Sequence, residues 1–152
     1  MNTKQLYFLV VVLVALGAGV AVQQYYTPRV MGELPVKVLT LDGGTINARV
    51  AESGPEQEKG LMGVTSLTDG EGMLFPFAPA RVVSFWNQGM LMPFDLIWIR
   101  SGRVLGIESN FPKLEIKPIT KESPGSIDNV IELSAGWVSR HGTRVGDQIF
   151  GL

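Results

Sequence analysis

An uncharged apolar segment near the N-terminus constrains this chain more than any other feature of its sequence. Leu6 to Val22 contains no charged residue, and Lys4 precedes it. As an α-helix rising ~1.5 Å per residue, the segment reaches the short end of the length that crosses a bilayer. Tyr7, Tyr25 and Tyr26 lie near its two ends, where aromatic rings settle at membrane interfaces. The segment therefore predicts a membrane anchor, with the rest of the chain on the outer side because the positive charge comes first.

A cleaved signal peptide is the alternative interpretation of the same segment. It would end in a small-x-small cleavage site, and Gly19-Val20-Ala21 fits that pattern. The remaining chain would then be secreted or periplasmic. A buried helix of a soluble protein fits worse, because a small domain cannot easily hide a helix that is apolar all round. The predicted organisation is an anchor or signal segment at 1–26, a linker at 27–35 and a folded domain at 36–152.

Composition excludes several classes of function for that domain. The 152 residues are 45% apolar and 18% charged, which is typical of one globular domain. Thirteen basic and fourteen acidic residues, without a run of like charge, provide no basic surface for nucleic acid or anionic lipid. The absence of cysteine excludes a disulfide, a thiolate zinc site and a thiol nucleophile, and a single histidine excludes a multi-histidine metal site. We expect no cofactor and no nucleic-acid partner.

Two hairpins are the clearest local patterns in the domain. Val36 to Leu41 and Thr45 to Ala51 are strand-like stretches on either side of a short Gly-rich turn. Leu96 to Arg100 and Arg103 to Glu108 form a second pair, joined by a Ser-Gly turn. The run from Leu96 to Ile99 is apolar on both faces, which predicts a central strand that is covered on each side.

Two short helices are also predicted. Ser53 precedes a helix that runs to about Met62, and Glu56 occupies the reciprocal position of a capping box. Later in the chain, Ser134 is the predicted cap of a helix over Ala135 to Arg140, which ends at a glycine.

The remaining strand-like stretches complete a mainly β pattern. They are Leu74 to Phe77, Arg81 to Trp86, Val130 to Leu133 and Val145 to Phe150. Short strands without βαβ alternation predict a small antiparallel β-barrel-like domain, open or closed, with two short helices, preceded by the N-terminal hydrophobic helix.

Several separated blocks of the domain together carry a family resemblance. They are Glu58-Lys59-Gly60-Leu61-Met62, Gly72-Met73-Leu74-Phe75-Pro76-Phe77, Phe85-Trp86 with Pro93 and Asp95 after it, Glu132-Leu133 with Ala135-Gly136, and Val145-Gly146-Asp147. In these blocks, which span nearly all of 36–152, the chain resembles the uncharacterised DUF192 family. The resemblance implies a compact β-barrel-like domain, commonly behind a signal or anchor segment, and it implies no particular reaction.

The chain departs from the family pattern at two positions. Where the family commonly has Trp-Met-Lys-Asn-Thr, this chain has Trp86-Asn87-Gln88-Gly89-Met90, so a basic residue is missing. An arginine that is frequent just before the Gly-Leu-Met block is Gln57 here. The resemblance therefore does not carry an anion site over to this chain.

The segment from Phe85 to Asp95 is the candidate binding site. Trp86, with Met90 and Met92, could form a soft apolar wall for a ligand, because thioethers adapt to irregular shapes. Asn87 is a further candidate binding residue in the same segment. Met62 and Met73 would join them if the family blocks converge. Packing in the core is the alternative role for the tryptophan and the methionines.

Asp95 has two interpretations of its own. It lies between Pro93 and the buried strand, so it could be partly desolvated at a barrel mouth and bind a cation or act as a base. Alternatively, its carboxylate accepts backbone N–H groups and orders the turn before the strand.

Enzyme and metal signatures are otherwise absent from the sequence. It contains no G-x-S-x-G, Walker A or H-E-x-x-H motif, and no G-x-G-x-x-G in the right context. Asp69 and Glu71 flank glycines but lack the further acidic ligands of a calcium loop. His141 at a predicted helix end is expected to be a solvated imidazole that favours the helix dipole.

Three classes of function remain for the domain. The sequence favours a membrane-anchored extracytoplasmic binding or accessory domain for a small molecule or an envelope component. An envelope protein–protein assembly module is the second class, and a hydrolase or lyase that uses Asp95 is the third. We expect a binding domain rather than an enzyme, with a small molecule or an envelope protein as its partner and with the membrane contacted through Leu6 to Val22.

Overall fold

A computed structural model of the chain describes residues 34–41 and 43–152. The predicted membrane anchor, Leu6 to Val22, lies outside those residues. Within the two described ranges, no helix is long and apolar enough to cross a bilayer.

The described residues form a mainly β domain with two short helices, as the sequence predicts. The strands are β1 (Val36–Leu41), β2 (Gly44–Val50), β3 (Glu71–Arg81), β4 (Ser84–Trp86), β5 (Phe94–Arg100), β6 (Arg103–Phe111), β7 (Thr120–Glu122) and β8 (Ile127–Ser134). The helices are α1 (Gly54–Lys59) and α2 (Trp137–His141).

One six-stranded sheet organises the domain, with the strand order β1-β2-β3-β8-β5-β6, and β4 pairs with β7 in a separate two-stranded sheet. Most neighbouring strands are antiparallel, but β2 and β3 are parallel. The wholly antiparallel arrangement that the sequence predicts is therefore wrong at this pair. The reason is that α1 lies in the connection between β2 and β3, and a crossover of this kind returns the chain in its original direction.

The sheet does not close into a barrel, although the C-terminal segment contacts both of its edge strands. β1 forms an isolated bridge through Thr40 and Phe150, and β6 forms one through Arg103 and Gln148. The predicted last strand, Val145 to Phe150, is thus reduced to single bridges. A glycine with φ of +97° lies near its start and interrupts the extended backbone that a ladder needs. The predicted barrel is therefore corrected to an open sheet.

β5 is an interior strand, as its apolar run predicts. It pairs with β8 on one side and β6 on the other, and every residue from Phe94 to Ile99 is buried. Leu96 and Trp98 belong to one apolar cluster, and Ile97 and Ile99 belong to another. The strand is therefore covered on both faces, which confirms the expectation from its sequence.

The two clusters form separate cores on the two faces of the sheet. The first core is rich in aromatic and methionine side chains and is covered by β4 and by the loop after α1. Its buried members are Ala51, Leu61, Val64, Met73, Phe75, Phe77, Met90, Met92, Phe94, Leu96, Trp98, Phe111, Ile127 and Val130. The second core is mainly aliphatic and is covered by α2 and the C-terminal segment, through Trp137, Val138 and Ile149.

The start of α1 is the predicted one, but its end is not. Ser53 Oγ accepts the Glu56 N–H at 3.4 Å, and Glu56 Oε2 accepts the Ser53 N–H at 2.8 Å, so the capping box is complete. The helix stops at Lys59 instead of Met62, because Gly60 leaves the helical region with φ of +44° and ψ of −133°. This early end brings the chain after Gly60 back against the sheet.

The second helix and two strands also differ from the sequence prediction. β8 continues through Ser134, so Ser134 does not cap α2; Gly136, in the left-handed conformation, holds that position. The single strand predicted from Arg81 to Trp86 is divided, since β3 extends through Arg81 and β4 starts later. β7, which was not predicted, is a polar three-residue strand that forms only by pairing with β4.

Candidate functional site

A cavity of about 360 Å³ opens on the first-core side of the sheet. It lies among α1 and the loop after it, the end of β3, and β4. The lining residues are Gln57, Glu58, Lys59, Gly60, Leu61, Met62, Phe77, Arg81, Val82, Val83, Ser84, Phe85, Trp86, Gln88, Met90 and Glu132.

Glu132 is the buried acid of this cavity. It sits on β8, where its register partners are Met73 on β3 and Leu96 on β5, so it rises from the interior of the six-stranded sheet. The residue is only 3% exposed. Its Oε2 accepts the Leu61 N–H at 3.3 Å, which ties the loop after α1 to the sheet. Glu132 is the buried end of the lining, which we call the floor of the cavity.

Gly60 allows the backbone to approach that carboxylate closely. A Cβ at Gly60 would lie 3.2 Å from Glu132 Oε2 and 3.3 Å from Phe75 Cζ. Its φ of +44° also lies in the region that side chains with a Cβ rarely adopt. Position 60 therefore requires glycine both for its backbone angle and for the space beside Glu132.

Aromatic and thioether side chains make the walls of the cavity. Phe85 makes edge-to-face contacts with Phe77, at 6.4 Å between ring centroids, and with Trp98 beneath it at 5.5 Å. Met62 and Met90 are buried beside these rings. Such walls fit the apolar part of a small molecule.

The mouth of the cavity carries an exposed tryptophan and charged side chains. Trp86 is 45% exposed, which is unusual for a large aromatic residue that also lines a cavity. Lys59 and Arg81 are exposed at the same opening, and the Arg81 guanidinium lies 4.9 Å from the centre of the Phe77 ring. The mouth therefore offers both an aromatic face and positive charge.

The two departures from the family pattern meet at this cavity, since Gln57 and Gln88 both line it. Gln57 Nε2 donates to Ala51 O at 3.1 Å and to Pro76 O at 2.9 Å. The amide of Gln57 thus fixes two backbone carbonyls beside the cavity and brings no charge to it.

Of the six candidate binding residues, Trp86 and Met62 line the cavity. Met73 and Met92 are buried members of the first core and do not belong to the lining. The structure thus places the methionines in both of the roles that the sequence left open.

Asn87 directly follows β4, and its side chain holds the loop that follows β6. Its Nδ2 donates to Pro112 O at 3.0 Å and to Lys113 O at 3.2 Å, and its Oδ1 accepts the Ile119 N–H at 2.7 Å. The side chain is buried and lies outside the 360 Å³ cavity. Its amide therefore holds both ends of the loop together.

Asp95 is fully buried and is also outside the cavity lining. Its Oδ1 accepts the N–H groups of Asn110 at 2.8 Å and Gly136 at 3.1 Å. Its Oδ2 accepts the Val138 N–H at 2.9 Å. Asp95 therefore caps the first turn of α2 from β5, which corresponds to the second of its two interpretations, although the bound groups come from distant loops instead of its own turn.

A second polar cluster surrounds His141 on the opposite side of the sheet from Glu132. His141 Nε2 lies 2.9 Å from Asp69 Oδ2, its Nδ1 lies 2.7 Å from Gly43 O, and its ring stacks on Trp137 at 4.3 Å. Arg140 Nη2 donates to Asp69 Oδ1 at 3.2 Å. Hydrogen bonds from His141 and then from Arg140 lower the pKa of the Asp69 carboxyl below its ordinary value. The His141 ring therefore connects α2 to the loops that contain Gly43 and Asp69, and it is not the isolated solvated imidazole that the sequence predicts.

No metal centre is present in the part of the chain that the structure describes. Those residues contain no group of three or more histidine, cysteine, aspartate or glutamate side chains that could hold an ion.

Sequence reasoning missed the residue at the floor of the cavity. Glu132 lies between Ile131 and Leu133 in a stretch that reads as a buried strand. A charged side chain in such a run is the signal that could have identified it, because a buried charge needs a specific reason. Phe77 and Arg81 gave no such signal, since both fit ordinary strand patterns.

The family model of DUF192, described as an uncharacterised ACR, matches residues 37–151. The chain belongs to the DUF192 family. This confirms the resemblance carried by the separated sequence blocks, and it covers the whole domain that the structure describes apart from a few terminal residues.

Two solved structures are similar to this DUF192 domain. A candidate transcription regulator from Sinorhizobium meliloti 1021 is 26% identical with a TM-score of 0.73, and the match covers 80% of this chain and 98% of that one. A protein of unknown function from Novosphingobium aromaticivorans DSM 12444 is 28% identical with a TM-score of 0.72, and the match covers 81% of this chain and 90% of that one. No curated protein matches the chain.

The DUF192 blocks separate into two groups in this structure. The block at 58–62, the pair Phe85-Trp86 and Glu132 meet at the cavity. Asp95 and Asp147 instead accept backbone N–H groups, from α2 and from Arg144 respectively. The first group is therefore the candidate binding site, and the second group stabilises the fold.

Proposed function

We propose that this DUF192 domain binds a small molecule in the cavity above Glu132. The observation that carries the proposal is the combination, in one cavity of about 360 Å³, of a buried carboxylate floor with aromatic and thioether walls. Small-molecule sites are typically concave, largely apolar and furnished with a few polar groups that orient the ligand. The volume falls within the roughly 300–1,000 Å³ of such sites.

The geometry gives no support to a hydrolase or lyase that uses Asp95. Both carboxylate oxygens of Asp95 accept backbone N–H groups, and the side chain is fully buried away from the cavity. A general base must reach a proton of its substrate, directly or through one water. Binding is therefore the better supported class.

A thermal-shift screen on the full-length chain in detergent tests the proposal. We expect one or more compounds from a set of metabolites and cell-wall fragments to raise the melting temperature, because a ligand that binds only the folded state stabilises it. Trp86→Ala should remove the shift. Phe150→Ala is the matched control, since Phe150 is a similarly exposed aromatic residue outside the cavity lining. Shifts that survive in Trp86→Ala, or no shift with any compound, would contradict the proposal.

Location on the outer side of a membrane, through Leu6 to Val22, is part of the same proposal. The support is the uncharged apolar segment preceded by Lys4. Mass spectrometry of the protein from washed membranes should find residues 1–26 intact. A soluble protein that starts just after Ala21 would instead show that the segment is a signal peptide.

An assembly module is the second candidate, favoured by one exposed apolar patch. Val36 and Val38 are more than half exposed on one face of β1, and Phe150, which pairs with Thr40 on that strand, is 55% exposed. Exposed apolar patches often mark contacts with other proteins. Crosslinking in envelope extracts should then recover a stoichiometric partner that is lost in Phe150→Ala and retained in Trp86→Ala. The opposite pattern, or no partner, would remove this candidate.

A further inference from the structure

The positive charges of the cavity lie at its mouth. Among the lining side chains, Lys59 and Arg81 are basic and exposed, and the exposed Glu58 carries the opposite charge. Two positive charges and one negative charge leave a single positive charge at the mouth. Glu132 at the floor has no positive charge in either of its protonation states. An anionic group of a ligand is therefore attracted to the mouth and meets no cation at the floor.

Arg81 lies against the cavity wall, on an aromatic ring. Its guanidinium carbon is 4.9 Å from the centre of the Phe77 ring, and Phe77 is a buried residue of the lining. Cation–π attraction of this kind holds the guanidinium over the ring. A guanidinium in that position keeps N–H donors at its edge, where they can bind a carboxylate through two parallel bonds.

No acidic side chain of the described residues pairs with the basic residues of the mouth. Within 34–41 and 43–152, the residues that form ion pairs with carboxylates are Arg49, Arg100, Lys121, Arg140 and His141. Lys59 and Arg81 are not among them. Both charges are therefore available to an anion that enters the cavity.

The space between the mouth and the floor is mainly apolar. Met62 and Met90 are buried lining residues, and Phe85 packs edge-to-face on Phe77 at 6.4 Å between ring centroids. Gln57 also lines the cavity, but both N–H groups of its amide donate to backbone carbonyls. A sugar or polyol would exchange its water contacts for apolar side chains there, which is unfavourable. A hydrocarbon ring or chain gains free energy from the same burial.

Charge and volume together limit the anion that fits. A carboxylate carries one negative charge, which balances the single positive charge that remains at the mouth. A phosphate monoester carries roughly 1.5 to 2 negative charges at neutral pH and exceeds it. The cavity of about 360 Å³ is near the small end of the roughly 300–1,000 Å³ that ligand sites occupy, so it suits one ring or a short chain.

We infer that the ligand of this cavity is a small carboxylic acid with an apolar body, whose carboxylate binds Arg81 and whose body packs against Phe85, Met62 and Met90. The inference rests on the proposed function, since it names the ligand class of the same cavity. Arg81 determines specificity, because its planar fork matches a carboxylate, whereas Lys59 adds a point charge without fixing the geometry.

Calorimetry with four matched compounds tests the inference on the full-length chain in detergent, after subtraction of titrations into detergent alone. The compounds are 3-phenylpropanoate, 3-phenylpropylamine, 3-phenylpropan-1-ol and propanoate. We expect 3-phenylpropanoate to bind most tightly. The amine and the alcohol should bind at least about tenfold more weakly, because neither forms a charge-assisted pair with Arg81. Propanoate should also bind at least about tenfold more weakly, because it lacks the ring that the walls bury.

The same titrations can overturn the inference. If the amine or the alcohol binds as tightly as 3-phenylpropanoate, the ligand is not recognised as an anion. If propanoate binds as tightly, the apolar body is not recognised. Either result leaves the cavity as a binding site, so the proposed function survives.

If none of the four compounds binds, the hits of the thermal-shift set decide. Hits that are apolar carboxylates and lose their effect in Arg81→Gln support the inference. Hits of another class, or hits that Arg81→Gln does not affect, overturn it. No hit from any class would overturn the proposed function as well, so the two failures are distinguishable.

Variants of Arg81 test its role in specificity. Arg81→Gln should weaken 3-phenylpropanoate by about tenfold and leave 3-phenylpropan-1-ol unchanged, because only the acid uses the guanidinium. Arg81→Lys keeps the charge but loses the fork, so its affinity should fall between those of Arg81→Gln and wild type. Arg144→Gln is the matched control, since Arg144 is also exposed but does not line this cavity. No loss of affinity for the acid in Arg81→Gln would overturn the role of Arg81.

Lys59→Gln keeps the test decisive if Arg81→Gln disturbs the packing on Phe77. It should weaken 3-phenylpropanoate severalfold and leave 3-phenylpropan-1-ol unchanged, because Lys59 contributes charge alone. Added salt should weaken the acid but not the alcohol, since both basic residues are exposed. Binding of the acid that changes neither with salt nor in Lys59→Gln would overturn the placement of its carboxylate at the mouth.

Discussion

Asp95 shows how a buried carboxyl group can connect distant parts of a fold by accepting backbone N–H groups. Its two oxygens accept three backbone N–H groups, which come from Asn110 after β6 and from Gly136 and Val138 at the start of α2. Gly136 provides no side-chain cap for that helix. The carboxylate of β5 therefore satisfies N–H groups that a cap residue would otherwise bind.

We expect Asp95→Asn to lower the free energy of unfolding by roughly 1–3 kcal/mol or more, because the amide NH₂ would face a backbone donor at a buried site. Urea denaturation of the two proteins measures the difference. Asp147→Asn is the matched control, since Asp147 also accepts a backbone N–H but is only partly buried. An Asp95→Asn protein as stable as the wild type would contradict the structural role.

Asp69 should make the stability of the domain depend on pH. Its pKa is lowered by hydrogen bonds from His141 and then from Arg140, so its ionised form is favoured in the folded state. The stability it contributes is present above the ordinary aspartate pKa of roughly 3.9 and is lost as the pH falls through the lowered value. We expect wild type to be more stable than Asp69→Asn at pH 6, with the difference vanishing in strong acid. Urea midpoints across that pH range measure the stability difference between the two proteins, and a difference that does not change with pH would contradict the account.

Because Asp69 is exposed, added salt should reduce the stability difference between wild type and Asp69→Asn.

At the scale of elements, local signals were readable from the sequence and distant pairings were not. The capping box at Ser53 and both hairpins depend on neighbouring residues, and the structure contains all three. The parallel pairing of β2 with β3 depends on how the chain folds back through α1. β7 depends on its pairing with β4, and its sequence, Thr-Lys-Glu, has no apolar residue that would indicate a strand by itself. Long-range contacts of this kind leave little trace in a local pattern.

The turn at Gly60 is the element that connects α1 to the cavity floor. We expect Gly60→Ala to destabilise the domain by about 1–2 kcal/mol, because φ of +44° is unfavourable for alanine. The new Cβ would also lie 3.2 Å from Glu132 Oε2, so ligand-induced thermal shifts should fall. Urea denaturation and the thermal-shift assay measure the two effects.

Gly54→Ala is the control for the Gly60 variant. Gly54 lies in the first turn of α1, and nothing is within 4 Å of a Cβ placed there. Alanine favours a helix more than glycine does, so this variant should be neutral or slightly stabilising. Equal behaviour of the two variants would show that position 60 has no special requirement for glycine.

At the scale of the whole domain, the two faces of the six-stranded sheet are covered differently. The aliphatic second core is sealed by α2 and the C-terminal segment, whereas the aromatic first core leaves a cavity beside β4. The sequence identified the family, the mainly β class and three cavity residues, Met62, Trp86 and Met90. It did not identify Glu132 as part of the site, because residues from α1, β3, β4 and β8 meet there only after the sheet has formed.

Methionine methyl NMR tests most directly whether the cavity is the binding site. Met62 and Met90 line the cavity, whereas Met73 and Met92 are buried nearby without lining it, so the protein carries its own reporters and controls. The probe is the strongest stabiliser of the thermal-shift set, added to the full-length chain with ¹³C-labelled methionine methyl groups. The account predicts saturable shifts of the Met62 and Met90 signals, with smaller changes at Met73 and Met92. Unchanged Met62 and Met90 signals under saturating ligand would contradict it.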